Sequence, residues 1–233
     1  MRLQMFEHMP SKVDCNITRW AQINGLELSR TKVNQGQSMP DLGSFDWLIV
    51  MGGPQSAWEY EKYPWLKPER DFIRHSIEAG KIVLAICFGV QILAEALESR
   101  AFRNDQREFG WNEVSVLPEG RKSFLFYDLP DTFVTWHSHS DHYDLPHDCV
   151  RLAESGPSPN QAFVHNSQPI VGLQFHPETT IELAHTSLDN YKAAWKDGPY
   201  VKPKEEIRAQ TNKLKDNYWL MKALLDNIIK QYG

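Results

Sequence analysis

Two short runs, "DWLIVMGG" (46–53) and "KIVLAI" (81–86), constrain the fold more than any other part of the chain. Both are apolar almost throughout. A strand with one face in water alternates polar and apolar residues, whereas a strand covered on both faces does not. Between them, "PWLKPERDFIRHSIEAG" (64–80) places Leu66, Phe72, Ile73 and Ile77 at helical spacing and stops at Gly80. Upstream, "RLQMFEH" (2–8) reads as a short strand, "NITRWAQING" (16–25) as a helix closed by Gly25, and "LELSRTKV" (26–33) as an alternating strand. Downstream, "VQILAEALES" (90–99) reads as another helix. Buried strands taking turns with helices imply an α/β fold, a mostly parallel central sheet with helices on both faces.

The middle of the chain has a different texture. "EFGWNEVSVL" (108–117), "TFVTWHS" (132–138), "VRLAES" (150–155), "QAFVHN" (161–166) and "PIVGLQF" (169–175) read as strands joined by short turns, a small β-rich addition beside the parallel sheet. From Glu182 onward the pattern is helical, punctuated by Pro199 and Pro203. In "NYWLMKALLDNIIKQY" (217–232), Trp219, Leu220, Leu224, Ile228 and Ile229 fall on one side of a helix. The expected organisation is a domain over 1–198 and a C-terminal helical extension over 199–233. Docking of that extension on its own chain is the simpler reading; a homodimer or partner surface is the sharper one.

Charge and cysteine usage narrow the function classes. A net charge of −5 without basic stripes argues against a nucleic-acid surface. No stretch has the apolar length of a membrane span, and "MRLQMFEHMP" lacks the core of a signal peptide. Three cysteines, Cys15, Cys87 and Cys149, make an odd number with no pairing motif. A reducing, cytoplasmic setting is expected.

Cys87 follows an apolar strand and precedes a helix, the layout of a nucleophile elbow. Small residues, Ala85 and Gly89, flank it at two positions either side and ease the turn. A sulfur at a helix start feels the positive end of the helix dipole, which favours thiolate. A buried structural thiol is the alternative. "GLQFHPETT" (172–180) offers a base: His176 after an apolar strand, with Glu178 two residues on and able to reach the same side of an extended chain. "IVMGGPQS" (49–56) ends a strand in Gly52-Gly53-Pro54, whose unshielded N–H groups suit an oxyanion, although an ordinary turn has the same letters.

Taken together and in order, Gly52-Gly53-Pro54, "CFGVQ" (87–91) and "GLQFHPE" (172–178) resemble the class I glutamine amidotransferase family. "EFGW" (108–111) and "NQAF" (160–163) are similar to the stand-alone branch related to the glutaminase domain of GMP synthase. The resemblance implies a flavodoxin-like sheet, with Cys87 as nucleophile, His176 as base and Glu178 as its partner. It implies oxyanion donors at the N–H of Gly53 and Phe88, with Gly52, Pro54 and Gln91 near the substrate. The "SHSD" loop (138–141), with Ser138, His139 and Ser140, would help hold the substrate's amino-acid end. Ala85 and Ser140 stand where the family commonly has glycine.

The chemistry implied is cleavage of the γ-amide of glutamine through a γ-glutamyl thioester, with no cofactor and no metal. A separate subunit would have to accept the ammonia in an amide transfer. A γ-glutamyl peptidase using the same residues is the second reading, and a non-catalytic binding protein the third. The run "WHSHSDHYDLPHD" (136–148) alternates His137, His139, His142 and His147 with Asp141, Asp144 and Asp148. Its spacing matches no standard ligand pattern, and a polar loop lining the cleft is the expectation.

Overall fold

The computed structural model describes residues 1–9, 14–189, 198–210 and 212–233. The first half runs β1 (Arg2–Phe6), α1 (Asn16–Ile23), β2 (Glu27–Thr31), β3 (Trp47–Val50), α2 (Leu66–Glu78), β4 (Ile82–Ile86) and α3 (Phe88–Ala96). The second runs β5 (Ala101–Val116), α4 (Pro118–Lys122), β6 (Thr132–Tyr143), β7 (Cys149–Glu154), β8 (Ala162–His165), β9 (Ile170–Leu173), α5 (Ile181–Asp189), α6 (Lys204–Ala209) and α7 (Lys213–Tyr232).

Nine strands make one sheet in the order β2-β1-β3-β4-β9-β8-β7-β5-β6. Every pairing from β2 to β9 is parallel and every pairing from β9 to β6 is antiparallel. The β-rich addition is therefore a continuation of the central sheet. β9 is the hinge between the two halves: it returns from the antiparallel part and lies parallel to β4.

The unbroken apolar runs are explained by burial on both faces. Trp47, Ile49, Ile82, Leu84 and Ile86 face α1 and α7, while Leu48, Val50, Val83 and Ala85 face α2 and α3. Each fully buried aliphatic side chain here contributes about 1.5–3 kcal/mol. On α7, Leu220, Met221, Leu224, Leu225 and Ile228 enter the same core as α1. The helix docks on its own chain, but the apolar stripe differs from the expected one: Trp219 is 62% exposed, and Met221 and Leu225 fill the seam instead.

Two strands are longer than their sequence patterns imply. β5 begins at Ala101, and β6 continues to Tyr143 through the segment expected to be a loop. The two pair antiparallel along most of their length, with a bulge between Arg103 and Glu108. Backbone pairing, which is indifferent to side-chain polarity, holds "HSDHY" (139–143) extended. The expected helix onward from Glu182 is α5 as far as Asp189; residues 190–197 lie outside those described. No helix among the described residues is long and apolar enough to cross a membrane.

Candidate active site

At the carboxyl end of β4 the chain turns into α3 within one residue. Cys87 takes φ 55° and ψ −112°, a setting that costs a residue with a side chain on the order of 1–3 kcal/mol. The surroundings hold it there. Its N–H donates to the Leu173 carbonyl of β9 at 2.8 Å, and its own carbonyl accepts from Val90 and Gln91 at 3.0 and 3.2 Å. Gly89 lets α3 approach β3, because a Cβ there would lie 2.1 Å from the Val50 carbonyl oxygen. Ala85 is fully buried on the α2/α3 face.

His176 follows β9 and is fixed by its backbone, donating from N–H to the Trp136 carbonyl of β6 at 2.8 Å. Its Nδ1 lies 2.7 Å from Glu178 Oε1. A carboxylate only accepts, so Nδ1 carries the proton and Nε2 is left for chemistry. Nε2 is buried and has no well-formed hydrogen bond; the Cys87 side chain is the group that acts on the ring from outside the Glu178 pair. Burial opposes charge on this imidazole. The Cys87 sulfur, then the Glu178 carboxylate, outweigh that and hold its pKa well above the ordinary histidine value. Cys87, His176 and Glu178, up to 91 residues apart in sequence, thus lie together.

Burial pushes the Cys15 thiol up to about 12, and burial, aided by Asp148, does the same to Cys149, which disfavours thiolate at both.

The glycine segment passes over the Cys87–His176 pair. A Cβ on Gly52 would lie 3.1 Å from His176 Cε1 and 3.5 Å from Cys87 Cβ. Among the described residues the N–H groups of Gly53 and Phe88 donate to no backbone acceptor.

Residues 11–191 match the family described as glutamine amidotransferase class-I. The chain belongs to the class I glutamine amidotransferase family. The Salmonella typhimurium glutamine amidotransferase-like protein YfeJ is 26% identical over 216 residues, 90% of each chain. A glutamine-hydrolyzing GMP synthase from Vibrio cholerae is 35% identical over 136 residues, which are 58% of this chain and 24% of that protein. The chain therefore spans only about a quarter of the GMP synthases it matches. Among solved structures, a glutamine amidotransferase from Thermotoga maritima is 25% identical and superposes with a TM-score of 0.83, covering 98% of both chains.

In this amidotransferase chain the remaining expected residues take varied places. Gln91 is buried, and its Nε2 donates to the Asp141 carbonyl at 3.1 Å and to Gln174 Oε1 at 3.3 Å, tying α3 to β6. Ser138 turns its carbonyl toward Cys87 Sγ at 4.0 Å. Ser140 has a buried hydroxyl, while His139 points away from solvent altogether. Pro54 follows the two half-buried glycines in an irregular segment and is itself exposed. The segment 138–141 is strand, not loop, so what it offers the site is backbone at fixed spacing.

Several supporting residues carry no motif. Asn16 Nδ2 donates to the carbonyls of Pro177 and Thr179 at 2.9 and 3.2 Å, and its N–H donates to the Glu178 carbonyl at 2.9 Å. Asn217, fully buried on α7, donates to the carbonyls of His176 and Thr179 at 3.0 and 3.2 Å and accepts from Thr135 Oγ1 at 2.6 Å. The two asparagines clamp the His-Pro-Glu loop from both ends of the chain. His8 braces the other wall. Its Nδ1 lies 3.0 Å from the Met51 carbonyl, its Nε2 lies 2.8 Å from Glu69 Oε1, and its ring meets Phe88 edge-on at 4.7 Å. The only hints in sequence are polar letters at positions otherwise read as core.

The histidine run divides. His147 is exposed and pairs with Asp148 at 2.9 Å. His142 accepts the Asn160 N–H at 3.3 Å, and burial lowers it to about 4. His137 and His139 project to one face and meet Glu108 of β5. Burial opposes charge on Glu108, but His137 and then His139 outweigh it and hold the carboxyl well below the usual range. Complete burial, partly offset by Glu108, lowers His137 to about 3. The enclosed His137 ring sheds its proton readily, and Gln161 Nε2 donates to Glu108 Oε2 at 2.9 Å.

Proposed function

We propose that this chain hydrolyses the γ-amide of glutamine with Cys87 as nucleophile, His176 as proton carrier and Glu178 as the group that orients it. The observation that carries the proposal is the coupling of Cys87, on its left-handed corner, to an imidazole whose Nδ1 is locked by Glu178 at 2.7 Å. Family membership supports the substrate class.

The thiolate attacks the γ-carbonyl carbon, and the oxygen takes the negative charge. In this reading the N–H groups of Gly53 and Phe88, which donate to no backbone acceptor among the described residues, stabilise it. As the C–N bond breaks, the His176 imidazolium gives its proton to the departing amine, leaving a γ-glutamyl thioester. Neutral His176 then takes a proton from water, which attacks the thioester, and glutamate leaves with the thiol restored. In an amide transfer the ammonia would go to a synthase partner.

The test is a panel of glutamine, γ-glutamyl dipeptides and bulkier γ-glutamyl conjugates, with amine and glutamate release measured. Glutamine turnover, together with mass-spectrometric labelling of Cys87 by a glutamine-like chloroketone, is the expected result. Preference for γ-glutamyl peptides over glutamine would reassign the substrate while keeping the chemistry. Unchanged turnover in Cys87→Ala would overturn it.

A further inference from the structure

We propose that Glu108, His137 and His139 form a buried site for a zinc-class divalent transition-metal ion, bridging β5 and β6. The inference does not depend on the glutaminase reading. It runs against the expectation from sequence spacing, which had no means of including Glu108. Antiparallel register sets Glu108 opposite His139, and His137 lies two residues along on the same face. One potential ligand atom from each residue lies within 4.8 Å of the others.

The contacts look like ligands around a common point more than like pairs. Glu108 Oε1 lies 3.3 Å from His137 Nδ1, and Glu108 Oε2 lies 3.2 Å from His139 Nε2. Yet Glu108 Oε1 and all four nitrogens of the two rings lack a well-formed hydrogen bond, and all three side chains are essentially inaccessible. Buried polar atoms are almost always partnered, and an unpartnered one is costly. So many on three side chains call for a shared partner. Two imidazoles and a carboxylate suit zinc and its neighbours, and do not suit calcium or magnesium, which take oxygen. Gln161, donating to Glu108 Oε2 at 2.9 Å, stands where an outer hydrogen bond orients a ligating carboxylate. An ion here would pin the backbone between His137 and His139, whose Ser138 carbonyl faces Cys87 Sγ.

The experiment uses full-length protein made without a histidine tag, stripped with a chelator. Zinc is then offered both to the folded protein and during refolding, and bound metal is counted. About one equivalent per chain is expected in the wild type, and no such site in His137→Gln or Glu108→Gln. In Gln161→Leu, which keeps the ligands, affinity should fall about 10–100-fold. X-ray absorption of the zinc-loaded wild type needs no variant, and should show imidazole nitrogen with carboxylate oxygen. Failure to bind zinc by either route, equal binding in the ligand variants, or sulfur in the coordination shell would overturn the proposal.

Discussion

The two halves of the sheet solve burial in opposite ways. The parallel half, β2 to β9, fills both faces almost entirely with aliphatic and aromatic side chains, the bonded Gln4–Thr31 pair being the buried polar exception on its strands, and the candidate site lies at the edge where β4 ends. The antiparallel half buries Glu108, Thr135, His137, His139 and His142 within its body. Apolar packing tolerates no charge but needs no partner. Buried polar groups need every partner in place. Deletions in the first half should therefore separate activity from stability, whereas deletions where the second half meets the site should cost both.

The sharpest break is Cys87→Ala. Turnover should fall by about 10⁴-fold or more while the fold is retained, since alanine keeps the Cβ and the backbone hydrogen bonds that hold this corner. A large loss of stability would mean that the sulfur packs more than it reacts. Glu178→Gln comes next, with a loss of about 10²–10⁴-fold, because the amide can hold His176 in the wrong tautomer.

Asn217→Leu probes the junction. It strips the carbonyls of His176 and Thr179 and the Thr135 hydroxyl of a partner, at about 1–3 kcal/mol for a group left unsatisfied. Chemical denaturation should show that loss together with a lowered kcat. If kcat stays whole, the clamp is structural only.

The pH dependence of stability is a subtler test. His176 has a raised pKa in the folded chain, so its stabilising contribution is fully present below the unfolded value of about 6.5 and is lost as pH rises through the folded value. NMR titration should find the ring protonated above its ordinary range. Cys87→Ala removes the largest favourable cause and should bring the value down. An unmoved titration would show that the two side chains are not coupled. The smallest effect belongs to Trp219→Ser, within about 0.5 kcal/mol by thermal melting, since that ring lies outside the packed seam of α7.

What was legible in the sequence follows the same division. β3 and β4 announce themselves because burial on both faces leaves no polar letter to confuse the pattern. The elbow at Cys87 and the His176–Glu178 pair are local enough to be read from spacing. The start of β5, "AFRNDQR" (101–107), shows no strand pattern, and the end of β6 reads as a loop, because their extension comes from each other's backbone. Glu108 and His137 are 29 residues apart, and His8 and Glu69 are 61 apart. Such pairs exist only once strand register and helix placement are known. Trp219 falls on the apolar stripe in sequence, but Met221 and Leu225 take the seam in its place.

The Asn217 clamp also bears on how a disturbance travels through the molecule. The loop bearing the imidazole is tied to a helix 41 positions further along the chain. Fraying of α7 would thus be felt at the ring itself, although no side chain of that helix needs to meet the substrate.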